Sequence, residues 1–329
     1  MKVAVTGVGG GVGQSIIKAL QNEDHQLVGI DGNLLGTGLY GVPHAYLGYY
    51  AKNPQFIPRL EEICMEEECE VIFPGMDAEL PYLARNKKKM ERKLPLTVVV
   101  SDPSVVEIAD DKLETYYFLE KHGFPSLETY NLLNYDGELK FPVVVKLRKG
   151  GARSQDKTVV RDDRTLENLQ RSSEADKFVI QEYAPGTEYT CGTLTFEGDC
   201  LGSITMKRQL RCGDTYKAFV VQDDRLQNYL KEVVEVLNPY GPCNVQLRMD
   251  NGVPYIFEFN ARCSGTTASR ALAGFNEPAM VCDYLQGKTP HYDIKEMVIL
   301  RYWNELMVEY AQIESMGLNK HVNNSRTNL

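Results

Sequence analysis

Four polar residues stand out in two short apolar segments near residue 250, both of which have the composition of strands. Glu258 and Asn260 lie two apart in the segment YIFEFN, so a strand places both side chains on one face. Gln246 on the preceding predicted strand can meet them there, and Arg262 continues on the same face. Because polar groups in such a strand are expensive to bury without partners, a functional cluster is favoured over an incidental network.

The chemistry that this cluster suits is the binding of a hard divalent cation. Amide and carboxylate oxygens, with ATP phosphates completing the coordination, fit Mg²⁺, and also Mn²⁺, far better than zinc. Arg262 could then grip the transferring phosphoryl group or an acyl phosphate, since a guanidinium binds such anions through two parallel hydrogen bonds. The sequence therefore predicts a metal site with an arginine beside it.

A second group of residues has the composition of a phosphate site. Lys146 ends an apolar segment that begins at Pro142, and the small-residue loop RKGGARS follows at residues 148–154. A cation at a strand end and backbone N–H groups in such a loop can neutralise and enclose triphosphate oxygens. The chain contains no Walker A pattern. A hairpin tip with solvated cations would explain the same residues equally well.

Two further segments suggest the rest of a nucleotide and its substrate. The apolar strand Phe178–Gln181 runs into a linker whose backbone can contact an adenine edge, and Glu188 is a candidate for the ribose hydroxyls. A lone Glu at the rim of a strand is the commoner situation. The cationic segment 206–215 could hold an anionic substrate through Arg208 and Arg211, although a surface hairpin accounts for it equally well.

The N-terminal segment carries a glycine motif that suggests a different chemistry. The sequence GVGGGVG at residues 7–13 lies between a predicted strand and a predicted helix, and Asp31 ends the next strand. This layout can hold a dinucleotide pyrophosphate and its ribose, so an NAD(P)-binding oxidoreductase or epimerase is an alternative function. The glycines suit a tight strand-to-helix turn equally well.

The chain alternates strands and helices in its first third and is richer in strands thereafter. The early rhythm implies a parallel sheet covered by helices. Strands are predicted at residues 2–6, 26–31, 70–73, 97–101, 142–146, 178–181, 189–196, 201–206, 218–221, 243–248 and 255–260. Helices are predicted at residues 15–20, 57–66, 112–122, 166–171 and 224–237, the last of them amphipathic.

Length and composition limit the classes of protein that fit. At 329 residues the chain exceeds what one hydrophobic core usually supports, and 43 % hydrophobic with 25 % charged residues is ordinary globular composition. A formal charge of −9 argues against a nucleic-acid partner. The eight cysteines include no CxxC pair, which argues against zinc and disulfides. No apolar run suits a membrane span, and we expect a cytoplasmic protein without signal peptide or anchor.

Together these segments resemble the ATP-grasp superfamily, most closely a single synthetase half of the carbamoyl-phosphate synthase large subunit. The resemblance covers about residues 1–290, and Asp111-Lys112, near the start of the strand-rich part of the chain, adds to it. It implies an α/β and α+β fold, in which a Rossmann-like pre-ATP-grasp domain that does not use NAD precedes a two-lobed ATP-grasp fold. The expected parts are a first domain at 1–110, a small lobe at 111–185, a C-terminal lobe at 186–312 and a frayed tail at 313–329.

The resemblance also implies roles for individual residues. It implies that Lys112 and Lys146 are the cations that bind the nucleotide phosphates, and that Gly150, Gly151 and Ser154 belong to a flexible lid over the triphosphate. It also implies that Gln181, Glu182 and Ala184 form the adenine hinge and that Glu188 is the ribose carboxylate. The implied metal ligands are Gln246, Glu258 and Asn260, and the implied catalytic residues are Arg262, Lys146 and Asn260. Ala261 stands where proline is common in the family. The expected substrate residues are Arg208, Arg211, Gly265 and Thr266.

The implied function is that of an ATP- and Mg²⁺-dependent ligase. Such an enzyme phosphorylates a substrate carboxylate to an acyl phosphate, and an amine then displaces the phosphate. The expected partners are small-molecule carboxylate and amine substrates, and a homodimer is kept open. One synthetase half, without glutamine amidotransferase or biotin-carrier domains, fits a single-chain carboxylate–amine ligase better than full carbamoyl-phosphate synthesis. A non-catalytic ATP-binding protein is the second alternative.

Overall fold

Three β-sheets organise the residues that the computed structural model describes, which are 1–137, 139–150 and 157–324. The first sheet is mostly parallel, whereas the second and third are antiparallel. This is the predicted combination of α/β and α+β architecture. Within these ranges, no helix combines the length and the hydrophobicity that crossing a bilayer requires.

The first sheet contains the N-terminal strands and one strand from near the C-terminus. In spatial order its strands are β16 (His321–Asn323), β3 (His44–Leu47), β2 (Gln26–Asp31), β1 (Lys2–Thr6), β4 (Val71–Phe73) and β5 (Thr97–Val98). All neighbours are parallel except β16 and β3. The helices of this region are α1 (Gly11–Leu20), α2 (Phe56–Glu66), α3 (Leu80–Lys93) and α4 (Pro103–Asp110). The strands are short apolar runs, as expected for a parallel sheet covered on both faces.

The second sheet contains the region predicted to bind nucleotide. In spatial order its antiparallel strands are β6 (Thr129–Asn131), β9 (Phe178–Glu182), β7 (Val143–Leu147) and β8 (Thr158–Val160). Two helices accompany it, α5 (Lys112–Lys121) and α6 (Asp163–Gln170). Asp111 and Asp162 precede these helices, and each carboxylate accepts a backbone N–H of the first turn. These bonds satisfy donors that a helix N-terminus leaves free, and so they fix where both helices begin.

The third sheet carries the predicted metal cluster. In spatial order its antiparallel strands are β14 (Val253–Asn260), β13 (Gly241–Asp250), β10 (Thr187–Phe196), β11 (Asp199–Arg211), β12 (Asp214–Val221) and β15 (Val298–Leu300). Its helices are α7 (Asp224–Leu237), α8 (Thr267–Leu272) and α9 (Glu277–Leu285). Helix α7 has the predicted bounds, because Asp223 caps its first turn and Asn238 ends it with a left-handed backbone (φ 56°).

Helix α7 covers one face of the third sheet and leaves the opposite face for polar residues. Leu226 and Leu230 of α7 pack with Cys191 of β10 and Val245 of β13 in one apolar cluster. Since strand side chains alternate between faces, Gln246, next to Val245, points away from α7. The face that carries the predicted metal cluster is therefore turned towards the first and second sheets.

The expected frayed tail at 313–329 is wrong over residues 313–324. Helix α10 (Tyr310–Asn319) is followed by β16, which pairs with β3 so that His321 lies opposite Tyr46. Met316 of α10 is buried, and the Asn324 side chain donates to the backbone oxygens of Leu39 and Val42. The polar composition of this segment suggested fraying, but the open edge of β3 supplies it with hydrogen-bond partners. Residues 325–329 lie outside the described part of the chain.

Replacing Met316 with alanine should lower the free energy of unfolding by about 2–5 kcal/mol, because it removes apolar burial and leaves a cavity. The Met316 side chain is 0 % exposed and packs in the cluster beside the first sheet. Urea unfolding followed by circular dichroism measures the change. Met65→Ala is the matched control, since Met65 is 61 % exposed, and its effect should stay within about 0.5 kcal/mol. Equal effects of the two substitutions would contradict the docking of α10.

Candidate active site

The side chains of the three predicted metal ligands converge on one face of the third sheet. Gln246 on β13 lies directly opposite Glu258 on β14. Gln246 Nε2 donates to Asn260 Oδ1 at 3.2 Å, and Asn260 Nδ2 donates to Glu258 Oε1 at 3.0 Å. The polar atoms of these residues thus form one hydrogen-bonded group at the surface of the cleft.

The donor atoms of this group suit Mg²⁺. They are one carboxylate and two amide oxygens, which are hard ligands, and Mg²⁺ usually takes one or two carboxylates together with substrate phosphates and water. Elsewhere in the described ranges, no set of three or more His, Cys, Asp or Glu side chains could hold a metal ion. The residues present therefore fit a metal that is shared with a bound triphosphate.

A bulge in β14 produces this arrangement. Leu247 pairs with Ile256, whereas Gln246 pairs with Glu258, so Phe257 is an extra residue on its strand. Without the bulge, Gln246 would face Phe257, and Glu258 would point to the α7 side of the sheet. The backbone oxygen of the bulged Phe257 accepts a hydrogen bond from Lys146 Nζ at 3.2 Å. One irregularity therefore turns Glu258 into the cleft and brings a lysine next to it.

Lys146 is a buried amine whose partners are neutral oxygens. Besides the Phe257 carbonyl, its Nζ donates to Gln181 Oε1 at 2.8 Å. Burial is the main cause that lowers the pKa of Lys146 to about 7. An anion placed beside this amine would favour its charged form. Lys146 is therefore suited to bind phosphate oxygens.

Lys112 enters the same cleft from the first turn of α5. Its Nζ donates to the backbone oxygen of Gly150 at 2.7 Å, and both residues line the cleft. Arg148 Nε donates to Asp111, next to Lys112, at 2.9 Å, which joins the start of α5 to the loop after β7. The remaining residues predicted for the lid, Gly151 and Ser154, lie outside the described residues.

The predicted adenine hinge follows β9 along the wall of a narrow cleft. Gln181, Glu182 and Ala184 all line it, together with apolar side chains of the second sheet. The Gln181 side chain is turned inwards, because its Nε2 donates to Thr129 Oγ1 at 2.8 Å and its Oε1 accepts from Lys146. Both ends of its side-chain amide are therefore engaged within the protein.

Glu188 lies on β10 between two arginines. Its Oε1 accepts from Arg208 Nε at 2.9 Å, and its Oε2 accepts from Arg248 Nη2 at 2.8 Å. Burial alone would raise the pKa of Glu188, but Arg208, Arg248 and Lys157 together lower it below its usual value. A carboxylate has acceptor sites beyond these bonds, so Glu188 can still receive ribose hydroxyls. Arg208 also donates to Gln246 Oε1 at 2.7 Å and so connects this group to the metal cluster.

Arg262 pairs with a residue that the sequence analysis missed. Its Nε donates to Asp77 Oδ1 at 2.7 Å, and its Nη2 donates to the other oxygen of the same carboxylate. Asp77 follows β4, at the carboxyl end of a parallel strand, where open α/β sheets place ligand-binding loops. That position was the signal that could have identified it. The pair joins the first sheet to the candidate catalytic arginine.

A cleft of about 610 Å³ extends from the metal cluster to the first sheet. Of the predicted substrate residues, Arg208, Gly265 and Thr266 line it. Arg211 does not, because it ends β11 with its guanidinium over the ring of Tyr216, 5.5 Å from the centroid. Arg301, which no motif indicated, also lines the cleft, and its Nη1 donates to the backbone oxygen of Thr215 at 3.0 Å.

Asp31, the acidic residue that accompanies the N-terminal glycine motif, is held by contacts within the protein. The N–H of Gly9 donates to Asp31 Oδ2 and that of Asn33 to Asp31 Oδ1, both at 2.7 Å. A Cβ atom on Gly9 would lie 2.9 Å from the Cα of Gly36. The carboxylate that would bind a dinucleotide ribose is therefore engaged by the backbone, which disfavours the NAD(P) alternative.

Known proteins resemble the chain over this same site. A family model described as "ATP-grasp in the biosynthetic pathway with Ter operon" matches residues 174–305. The carbamoyl-phosphate synthase of Methanobrevibacter smithii is 22 % identical over 296 residues, which cover 84 % of this chain and 79 % of that protein. The segment 174–305 is similar to the ATP-grasp family. The D-alanine–D-alanine ligase of Bacillus anthracis is 29 % identical over 175 residues, 48 % of this chain and 57 % of that protein.

Solved structures extend the similarity in fold to nearly the whole chain. An ADP complex of N5-carboxyaminoimidazole ribonucleotide synthetase superposes with a TM-score of 0.75 at 14 % identity, covering 97 % of this chain and 84 % of that one. The L-amino acid ligase from Bacillus licheniformis gives a TM-score of 0.66 at 17 % identity, covering 85 % and 73 %. The predicted pre-ATP-grasp and two-lobed fold is confirmed, as is the predicted class of ATP- and Mg²⁺-dependent ligase.

ATP binding at about pH 7.5 should take up a proton through Lys146. The pKa of this amine is about 7 in the free protein, so it is mostly neutral at that pH, and a triphosphate beside it raises the pKa and draws a proton from solution. Isothermal titration in buffers of different ionisation enthalpy measures the uptake. The uptake should fade below about pH 6, where the amine is already charged.

Lys146→Met should abolish this proton uptake. Lys149→Met is the matched control, because Lys149 lies in the same loop region but is 54 % exposed and bonded to Asp111. Undiminished uptake by the Lys146 variant would assign the proton to another group.

Proposed function

We propose that this ATP-grasp enzyme joins a small carboxylic acid to an amine after activating the carboxylate with the γ-phosphoryl group of ATP. One observation carries the proposal: the oxygens of Gln246, Glu258 and Asn260 lie together on one face, beside the buried amine of Lys146. This arrangement supports binding of MgATP between the second and third sheets. Mg²⁺ bound there would neutralise charge on the β and γ phosphates.

The nucleotide would be held by the residues around that cleft. Lys112 and Lys146 would bind phosphate oxygens, and the backbone from Gln181 to Ala184 would contact the adenine edge. Glu188 would receive the ribose hydroxyls, because the two arginines beside it keep it ionised.

Positioning and charge neutralisation supply most of the catalysis of phosphoryl transfer, so the chain needs no covalent nucleophile. A substrate carboxylate oxygen attacks the γ-phosphorus, the bond to ADP breaks, and an acyl phosphate forms. Arg262 would hold the transferred group, with Asp77 fixing the plane of the guanidinium. An amine then attacks the acyl carbon, phosphate leaves with the bonding electron pair, and the nitrogen loses a proton to solvent.

A substrate carboxylate would meet two guanidinium groups in the cleft. Arg262 and Arg301 both face it, and Gly265 and Thr266 form part of its wall. The names of two relatives, an L-amino acid ligase and a D-alanine–D-alanine ligase, support an amino acid as one substrate. The proposed reaction consumes ATP and acts on small molecules, which supports a cytoplasmic location.

Three domains fit this division of work. Residues 1–110, 111–185 and 186–312 each contribute one sheet, and residues 313–324 return to the first of them. The first domain would close the substrate end of the cleft, the second would cover the nucleotide, and the third would hold the metal.

Replacing Glu258 or Asn260 with alanine should abolish ADP formation, because each change removes an oxygen donor from the metal cluster. A coupled assay of ADP release against mixtures of amino acids and sugar acids measures it, and circular dichroism checks that the chain stays folded. Glu232→Ala, on the exposed side of α7, is the matched control and should keep full activity. ADP release at the rate of the unmodified chain by either variant would remove the metal assignment.

The same panel separates the two other functions. ATP binding without ADP release across a broad set of carboxylates and amines would support a non-catalytic ATP-binding protein. Tight NAD(H) binding without ATP binding would support the oxidoreductase alternative.

We also propose that two copies of the chain pair through residues 298–310, which we name the apolar strap. Tyr302, Trp303 and Tyr310 are 86 %, 89 % and 86 % exposed, and the strap begins with β15, the edge strand of the third sheet. Each aromatic side chain can bury about 150–250 Å², so these three approach the roughly 800 Å² that each partner of a stable interface buries. An edge strand can pair with its own copy across a two-fold axis.

Trp303→Glu should convert the dimer to a monomer, because it places charge at the centre of the proposed interface. Size-exclusion chromatography with light scattering gives the mass. Met65→Glu, on α2 away from the strap, should leave the dimer intact. A monomeric mass for the unmodified chain would overturn the proposed pairing.

A further inference from the structure

An ion pair lies sealed beneath the metal cluster. Arg270 of α8 and Glu277 of α9 are both 0 % exposed, and Arg270 Nη1 donates to Glu277 Oε1 at 2.7 Å. Arg270 Nε and Glu277 Oε2 have no hydrogen-bond partner among the residues that the structure describes. A buried pair generally adds little stability compared with apolar side chains of similar size, and unpartnered polar atoms reduce that further. Stability alone therefore does not explain these two residues.

A chain of hydrogen bonds leads from this pair to the candidate metal ligands. Arg270 Nη2 donates to Asn244 Oδ1, and also to Thr190 Oγ1 at 3.2 Å. Asn244 Nδ2 donates to Asn260 Oδ1 at 2.9 Å. Asn260 Nδ2 in turn donates to Glu258 Oε1 at 3.0 Å. The buried arginine is thus linked to the metal cluster through one intervening amide.

The Arg270 guanidinium at one end and the Glu258 carboxylate at the other fix the direction of every hydrogen bond between them. A guanidinium has only donors, so the Asn244 group that faces Arg270 must be its oxygen. The Asn244 nitrogen then faces Asn260 and must meet an oxygen there. Asn260 consequently presents its nitrogen to the Glu258 carboxylate, which only accepts. The orientation of the Asn260 amide therefore follows from a cation that lies outside the cleft.

The surrounding backbone is shaped to keep the pair in place. A Cβ atom on Gly192 of β10 would lie 2.5 Å from Glu277 Oε1 and 2.7 Å from Arg270 Nη1, so only glycine leaves room for them. Helix α8 is anchored to α1 of the first sheet, because the N–H of Ala268 donates to Ser15 Oγ at 2.8 Å. Arg270 is therefore held from both sides.

We propose that Arg270 and Glu277 are positioning residues, which act through Asn244 to fix the orientation of the Asn260 amide within the candidate metal cluster. The inference rests on the proposed function, because it requires Gln246, Glu258 and Asn260 to be the metal site. Glu277 neutralises the arginine and sets its orientation, and Asn244 transmits that orientation to the cluster. Neither residue of the pair contacts nucleotide or substrate.

The test is Mn²⁺ binding by the full-length chain at a fixed ADP concentration, followed by the electron paramagnetic resonance signal of free Mn²⁺. The variant Arg270→Met with Glu277→Leu replaces the pair by apolar side chains of similar size. It should fold, bind ADP without metal as the unmodified chain does, and bind Mn²⁺ about 10–100-fold more weakly. The apparent KM for Mg²⁺ in ADP release should rise by the same factor.

Asn244→Leu interrupts the series of hydrogen bonds while it leaves the ion pair in place, and it should weaken Mn²⁺ binding similarly. Thr193→Val is the matched control: Thr193 is also buried on β10 and bonds the Cys243 carbonyl, but it lies on the opposite face of the sheet. If the double variant does not fold, Asn244→Leu decides. Unchanged Mn²⁺ binding in the folded variants would overturn the positioning role. Failure of the unmodified chain to bind Mn²⁺ would instead overturn the proposed metal site.

Discussion

The pairing register between β13 and β14 is the constraint on which the cleft depends. The two strands are joined by Asn251 and Gly252, both with positive φ (47° and 82°), which is the conformation of a two-residue hairpin turn and favours the dipeptide Asn-Gly. That turn sets Asp250 opposite Val253, and the bulge at Phe257 then shifts the pairing by one residue. The turn sets the pairing register of the two strands, and the bulge changes that register once. Polar side chains on both strands therefore face the first and second sheets instead of helix α7.

Several cationic side chains lie around the cleft although the whole chain is acidic. The protein carries a formal charge of −9, yet the cleft concentrates Lys112, Lys146, Arg208 and Arg262 within low-dielectric walls. Charge arranged in this way can attract a polyanion locally, because the field inside a cleft depends on its lining more than on the net charge. Acidic partners hold the arginines in defined orientations, whereas Lys146 keeps its capacity for a ligand because its partners are uncharged.

Sequence reasoning succeeded where the information is local. The bounds of α7 follow from an aspartate cap and an apolar stripe, and the alternation in YIFEFN identified Glu258 and Asn260 as neighbours on one face. It failed where distant segments meet. The position of Asp77 after β4 indicates the ligand-binding edge of the first sheet, but nothing near it in the sequence reveals its pairing with Arg262. Nothing near Arg301 reveals that it lines the cleft, and the bulge at Phe257 has no signature in residue type. The Arg270–Glu277 pair was missed for the same reason, since a charged residue in a short helix is ordinarily read as exposed.

The return of β16 to the first sheet has a consequence for how the chain is made. A ribosome releases β1 to β5 early, but the outer edge of β3 stays without a neighbour until residues 321–323 have emerged. An open strand edge is a template for pairing with other chains, and such exposure during synthesis favours aggregation. Since closing this long loop contributes a long-range contact, it is also expected to be among the slower events of folding. The last turn of helix and the strand after it therefore protect the earliest part of the protein.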